Sequence, residues 1–279
     1  MTQRTVGGTT FEMTGLKNAP VVILVHGLGL SRHAWQWQVP ALSERYGVVT
    51  YDLYGHGVSP EPPETPSLSL FSRQLAEVLN HLGADKAAVL GFSLGGMIAR
   101  RFAQDFPRRL WALGVLHSAH TRSKTQHDAI QSRVHQARVE GPQATVEAAL
   151  VRWFTDDFRE HNPATMQLIS SWLLANRKDL YAAIYQVLVD GVAEVVAPAS
   201  PIAVPTLVLT GDEDYGNSPA MSEAIAAEIP RSRLVIMPGL RHMAMAEAPE
   251  RFNAELIAFL QHASTCNPNS DDRGADHGS

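Results

Sequence analysis

Short apolar runs recur along the chain at Val21–Val25, Val48–Tyr51, Ala87–Leu90, Ala112–Leu116, Val204–Thr210 and Leu234–Met237. They do not alternate polar and apolar, as expected of strands buried on both faces of a parallel sheet. Between them the period changes. Phe71, Leu75, Val78, Leu79 and Leu82 are spaced three to four apart, which predicts a helix over Phe71–Leu82. Leu94 to Phe106 also reads as a helix, with Pro107 as its stop. Strands alternating with helices predict an α/β fold, a mostly parallel sheet with helices on both faces.

The alternation breaks between about Thr121 and Val196, where no strand pattern occurs. Four helices are expected there, over Ser123–Glu140, Gln143–Phe154, Ala164–Ala175 and Asp179–Asp190. Gly141-Pro142 and Asn162-Pro163 punctuate them, and Pro198, Pro201 and Pro205 precede the return to strands. The pattern predicts a core from residues 1–120 and 198–263 and an all-helical lid from 121–197. A helical insert between two strand carboxyl ends lies over the site. Residues 264–279, rich in Asn, Asp, Gly and Ser, are expected to form a disordered tail.

Composition narrows the partners more than the fold. The chain has 279 residues, 45% hydrophobic and 18% charged, with a formal net charge of −5. Such a charge gives no electrostatic reason to expect nucleic acid or an anionic membrane. Val21–Val25 is too short to span a bilayer, and Met1 to Thr10 lacks the apolar core of a signal peptide. Cys266 is the only cysteine, so no intrachain disulfide can form. A reducing, cytoplasmic setting fits that usage. The sequence leaves the oligomeric state open.

The chemistry is concentrated at strand ends. Gly91-Phe92-Ser93-Leu94-Gly95 fits G-x-S-x-G, follows a predicted strand and opens a predicted helix. That setting puts a serine on a sharp, strained turn, where flanking glycines avoid collisions. A serine hydroxyl needs a base, and the order on this kind of sheet is Ser…Asp/Glu…His. His242, after the run Leu234–Met237, is the candidate base. It is the only one of twelve histidines between the presumed acid and the final helix expected near Arg251–Gln261. Asp214 is preferred as the acid because it lies three residues beyond the strand-end Gly211; Asp212 is the alternative. Asp214 would fix the imidazole tautomer and stabilise the imidazolium. His26-Gly27-Leu28-Gly29 follows the first strand, so the backbone N–H groups of Leu28 and Leu94 are the candidate oxyanion donors. His26 reads as structural.

On these residues the chain resembles the α/β-hydrolase superfamily over about Phe11 to Gln261. Further features match: the D-x-x-G-x-G-x-S turn at Asp52–Ser59, the G-x-x-D loop at Gly211–Asp214, and the histidine loop and helix from Gly239 to Glu250. The resemblance implies an α/β-hydrolase fold and structural roles for Asp52 and His56. Leu150–Thr155 and Gly91–Met97 look most like 3-oxoadipate enol-lactonases and related small carboxylesterases and lactonases. Haloalkane dehalogenases, with an aspartate nucleophile, do not fit Ser93. Carbon–carbon hydrolases of the meta-cleavage kind differ at Phe92 and Met243.

Hydrolysis of a small ester or lactone through an acyl-enzyme is therefore expected, with no cofactor and no metal. His117-x-x-His120 has no acidic or cysteine partner at ligand spacing, and dinucleotide and P-loop motifs are absent. The alternatives are cofactor-free perhydrolysis, as in haloperoxidase-type enzymes, and ligand binding on a hydrolase scaffold. Trp153, Phe154, Trp172 and Met243 are expected to line an apolar pocket with Leu28 and Leu94. A carboxylate-bearing enol-lactone would need a cation, for which Arg133, Arg138 and Arg152 are candidates. His117 and His120 are expected to pack the loop beside the site.

Overall fold

The computed structural model describes residues 2–265. Its eight-stranded sheet has the order β1-β2-β4-β3-β5-β6-β7-β8. These strands are β1 (Thr2–Arg4), β2 (Thr10–Gly15), β3 (Val21–Val25), β4 (Gly47–Tyr51), β5 (Ala87–Phe92), β6 (Leu110–Leu116), β7 (Thr206–Gly211) and β8 (Ser232–Met237). From β4 to β8 every neighbouring pair is parallel; β1 and β2 form an antiparallel edge.

All six predicted strands are present. β7 starts at Thr206 rather than Val204, because Pro205 has no N–H to donate; its carbonyl instead accepts from Leu113. β1 and β2 lack an apolar run, since an edge hairpin buries little; in β2 only Thr10 and Phe11 are fully covered.

Alternate residues on one strand enter opposite cores. Ile23 and Val25 of β3 pack with the helices Leu68–His81 and Leu94–Asp105. Val22 and Leu24 face Trp35 and the helix Pro249–Thr265. That last helix takes in Ser264 and Thr265, so the expected tail begins two residues too early; the remainder of it lies outside the described residues.

The segment after β6 is entirely helical, at Lys124–Glu140, Gln143–Trp153, Asp156–His161, Pro163–Leu174, Lys178–Asp190 and Val192–Val195. Four match the expected helices within a residue or so, and two are short additions. Ser123 starts the first with a capping box through Gln126. Several bonds tie the segment to the sheet side, two sets of them close to the strand ends. Arg241 Nη1 donates to the carbonyls of Val151 and Phe154, and Asn176 Nδ2 donates to the Gly29 carbonyl. Among the described residues, no helix is long and apolar enough to cross a membrane.

Candidate active site

The elbow at Ser93 is a place of backbone strain. Ser93 has φ 56° and ψ −115°, a conformation L residues rarely adopt. Its surroundings enforce it. A Cβ on Gly91 would lie 2.0 Å from the Gly95 carbonyl oxygen, and one on Gly95 would lie 2.1 Å from the Val25 carbonyl oxygen. Only glycine lets helix Leu94–Asp105 start this close to β3 and β5. The Ser93 N–H donates to Leu116 O, and the Ser118 hydroxyl donates to Ser93 O. These bonds anchor the backbone and leave the Ser93 hydroxyl at the wall of a cavity of about 200 Å³.

His242 and Asp214 line the same cavity. His242 Nδ1 lies 2.7 Å from Asp214 Oδ2, and both side chains are buried. The other carboxylate oxygen, Oδ1, accepts from the Gly216 and Asn217 amides at 3.1 and 2.9 Å. Of the two other nearby carboxylates, Asp212 accepts from the Gly239 amide and Glu213 pairs with Arg241. Neither reaches His242. With Nδ1 engaged, the imidazole has Nε2 left for the serine. His242 makes its side-chain hydrogen bond to Asp214 and none to Ser93, a contact that in such pairs often tightens only around substrate.

A second histidine shares the carboxylate. His117, fully buried at the end of β6, places Nδ1 2.9 Å from Asp214 Oδ2. Burial pushes the Asp214 carboxyl up, but the charge of His242 and hydrogen bonds from both imidazoles outweigh it and hold it well below the usual range. Burial pushes His117 down, against the pull of Asp214. His117 Nε2 is buried without a partner. From the sequence, His117 is expected only to pack the loop. The overlooked signal is its position at the carboxyl end of a strand beside the serine elbow, where such sheets gather their chemistry. The fold also gives His117, Asp214 and His242 ligand atoms within 4.8 Å of one another, a grouping that spacing along the chain does not reveal. Both Nδ1 atoms are already engaged in hydrogen bonds with the carboxylate.

The candidate oxyanion donors sit on braced backbone. The Leu28 and Leu94 N–H groups make no hydrogen bond to another group among the described residues. Leu28 lines the cavity, whereas the Leu94 side chain is buried away from it. Two neutral histidines hold the Leu28 loop. His26 Nε2 accepts from the Leu53 amide and His56 Nε2 from the Gly29 amide, both at 3.0 Å. Burial pushes His26 down, and His56 down to about 3. Asp52 closes the brace through Arg32 Nη1 and the Val58 amide.

The expected apolar lining is only partly found. Trp153 lines the cavity, its ring 5.8 Å from that of His242. Phe154 does not; it is fully buried in the second core and stacks on Phe158, because its helix ends at Trp153 and the chain turns inward. Met243 is likewise core, its N–H bonded to the Trp153 carbonyl. Trp172 borders a different depression beside Asn176 and Gly55. Among the arginines, Arg133 and Arg152 line the cavity, Arg138 is exposed elsewhere, and Arg122 joins them unforeseen.

Comparison with known proteins agrees with this architecture. Residues 22–255 match the alpha/beta hydrolase family. The chain is 28% identical over 247 residues to 3-oxoadipate enol-lactonase 2 of Acinetobacter baylyi, covering 88% of this chain and 91% of that one. It is 26% identical over 240 residues to (E)-2-((N-methylformamido)methylene)succinate hydrolase of the same organism, covering 86% and 90%. The enol-lactonase structure from Burkholderia xenovorans superposes with a TM-score of 0.85 at 26% identity, over 94% of this chain and 100% of that one. The family match spans most of the chain, and the protein belongs to the alpha/beta hydrolase family.

Proposed function

We propose that this protein is a serine hydrolase that cleaves a carboxylic ester or lactone of a small molecule through an acyl-enzyme. The observation that carries the proposal is the Asp214–His242 pair at 2.7 Å on the wall of the cavity that holds the strained Ser93. Asp214 keeps the proton of His242 on Nδ1, so Nε2 is the base. Ser93 Oγ attacks the carbonyl carbon as His242 takes its proton. The Leu28 and Leu94 amides receive the negative oxygen, and His242 protonates the leaving alkoxide. Water, deprotonated by His242, then attacks the acyl-enzyme and returns Ser93. In a lactone the alcohol stays attached to the acyl group.

The helices at Lys124–Glu140, Gln143–Trp153 and Lys178–Asp190 supply the roof of the cavity and act as a lid over the sheet. The name of one relative, 3-oxoadipate enol-lactonase, supports lactone chemistry, and that of another, a substituted succinate hydrolase, supports hydrolysis of a small molecule. Treating the folded protein with a small fluorophosphonate tests the reading. The expected result is one adduct by intact mass, mapped to Ser93 and lost in His242→Ala. A folded sample that stays unlabelled while a control hydrolase reacts overturns it. Peracid formation assayed beside ester hydrolysis decides between peroxide and water as the acyl acceptor.

A further inference from the structure

The cavity roof carries three arginines without an acid. Arg122 lies just before helix Lys124–Glu140, Arg133 lies within it, and Arg152 is near the end of helix Gln143–Trp153; all three line the cavity. Each uses one donor on a neutral acceptor. Arg122 Nη1 donates to Leu188 O at 2.8 Å, Arg133 Nε to the Tyr185 hydroxyl at 3.1 Å, and Arg152 Nη1 to Ala148 O at 2.8 Å. A guanidinium has five N–H donors, so most of theirs remain free. Among the described residues, none of the three forms an ion pair. Asp214 is the only carboxylate lining the cavity, and its oxygens are engaged by His117, His242 and two amides.

Two other arginines with covered side chains do have an acid beside them. Arg32 pairs with Glu12 and Asp52, and the buried Arg100 pairs with Glu228. The roof arginines are instead left beside one another. Burial pushes Arg122 down to about 10, and the charge of Arg133 adds to that. Burial also pushes Arg152 down, again with Arg133 acting in the same direction. All three guanidinium-bearing residues line the same cavity, and the charge of Arg133 bears on both of the others. Partly buried like charges are costly without a counter-charge, so the arrangement fits a site completed by an anion.

We infer that Arg122, Arg133 and Arg152 form an anion subsite, and that the substrate carries two carboxylates in addition to its scissile ester or lactone. One carboxylate would leave two of the three guanidinium charges without a counter-charge. Two allow Arg122 and Arg152 one each, with Arg133 shared between them. Separate planar carboxylates also suit guanidinium forks spread over two helices better than one compact phosphate does. This inference deepens the hydrolase reading and rests on it, but it makes a binding prediction that does not require turnover.

Calorimetric titration of the full-length protein and its Ser93→Ala variant with succinate, butyrate and inorganic phosphate is the test. Succinate is expected to bind both proteins at least about tenfold more tightly than butyrate and more tightly than phosphate, with an affinity that falls as NaCl rises. Arg133→Gln should weaken succinate by at least about tenfold, and Arg133→Lys by less. Succinate should also slow fluorophosphonate labelling of Ser93. Succinate binding no tighter than butyrate overturns the inference, and phosphate binding tighter than succinate overturns its dicarboxylate assignment. Both comparisons use the wild-type protein, so they stand even if an arginine variant fails to fold. Loss of labelling with succinate binding intact would overturn the serine reading alone.

Discussion

Replacing His117 by alanine removes one of the two imidazoles that share Asp214 Oδ2. The lost contact is a 2.9 Å hydrogen bond to a buried carboxylate, of a kind that typically contributes about 1.5–3 kcal/mol. The ring also packs beside Phe252 and Phe92, so its removal leaves a void. Together these predict a stability loss of about 2–4 kcal/mol, or roughly 5–15 °C in Tm for a chain of this size. The activity readout separates positioning from packing. In the proposed mechanism Asp214 stabilises the His242 imidazolium, and His117 draws on the same oxygen. Without His117 the full charge of Asp214 serves His242, so the acid limb of kcat/KM should move to higher pH by about half to one pH unit. The rate loss should stay below about tenfold, because the Gly216 and Asn217 amides still anchor the carboxylate. His117→Asn retains an amide donor and tolerates the φ of 49° at this position, so it should recover part of both effects. The measurement is a pH–rate profile on each folded variant with the best available ester. An acid limb coincident with wild type in folded His117→Ala would refute the reasoning.

Two further outcomes follow from the elbow and its braces. Gly95→Ala puts a methyl group against the backbone oxygen of Val25, which cannot move aside as a side chain can. It should cost at least the upper part of the ~1–3 kcal/mol range usual for overpacking. Gly83→Ala meets open space at φ 64° and should cost only about 1–2 kcal/mol of backbone strain; urea denaturation compares the two, and equal losses would contradict the packing argument. Acid should destabilise the fold through its buried histidines. His26, His56 and His117 are all lowered by burial, so below about pH 6.5 the unfolded chain binds protons that the folded one refuses. Stability is then fully present above that pH and declines below it, with His56 alone accounting for about 2–3 kcal/mol by pH 4.5. Urea midpoints measured from pH 7.5 to 4.5 should fall steadily, and a flat profile would count against neutral buried imidazoles.

Local pattern carried most of the fold and marked the three residues proposed as the triad. Uninterrupted apolar runs mark strands buried on both faces, because that environment leaves no place for polar alternation. Gly91, Ser93 and Gly95 are legible because a strained turn admits few residue types, and Asp214 and His242 because they follow strand-end glycines. The edge hairpin Thr2–Gly15 is not legible, since it buries too little to leave an apolar signature. The pocket was harder to read. Trp153 and Phe154 are adjacent and equally aromatic, yet a helix end sends one to the cavity and the other into the core. His117 is 97 positions from Asp214, and only the pairing of β6 beside β7 brings the two together. Arg133, Arg138 and Arg152 are all legible as candidate cations, but only the closing of three helices over the sheet puts Arg133 and Arg152 on one cavity, adds Arg122 and leaves Arg138 outside. Composition and period thus determine which surfaces are buried and where chain reversals occur, because those depend on neighbours along the chain. Which side chains share a carboxylate or a cavity depends on neighbours across the sheet and under the roof, and only the tertiary structure decides it.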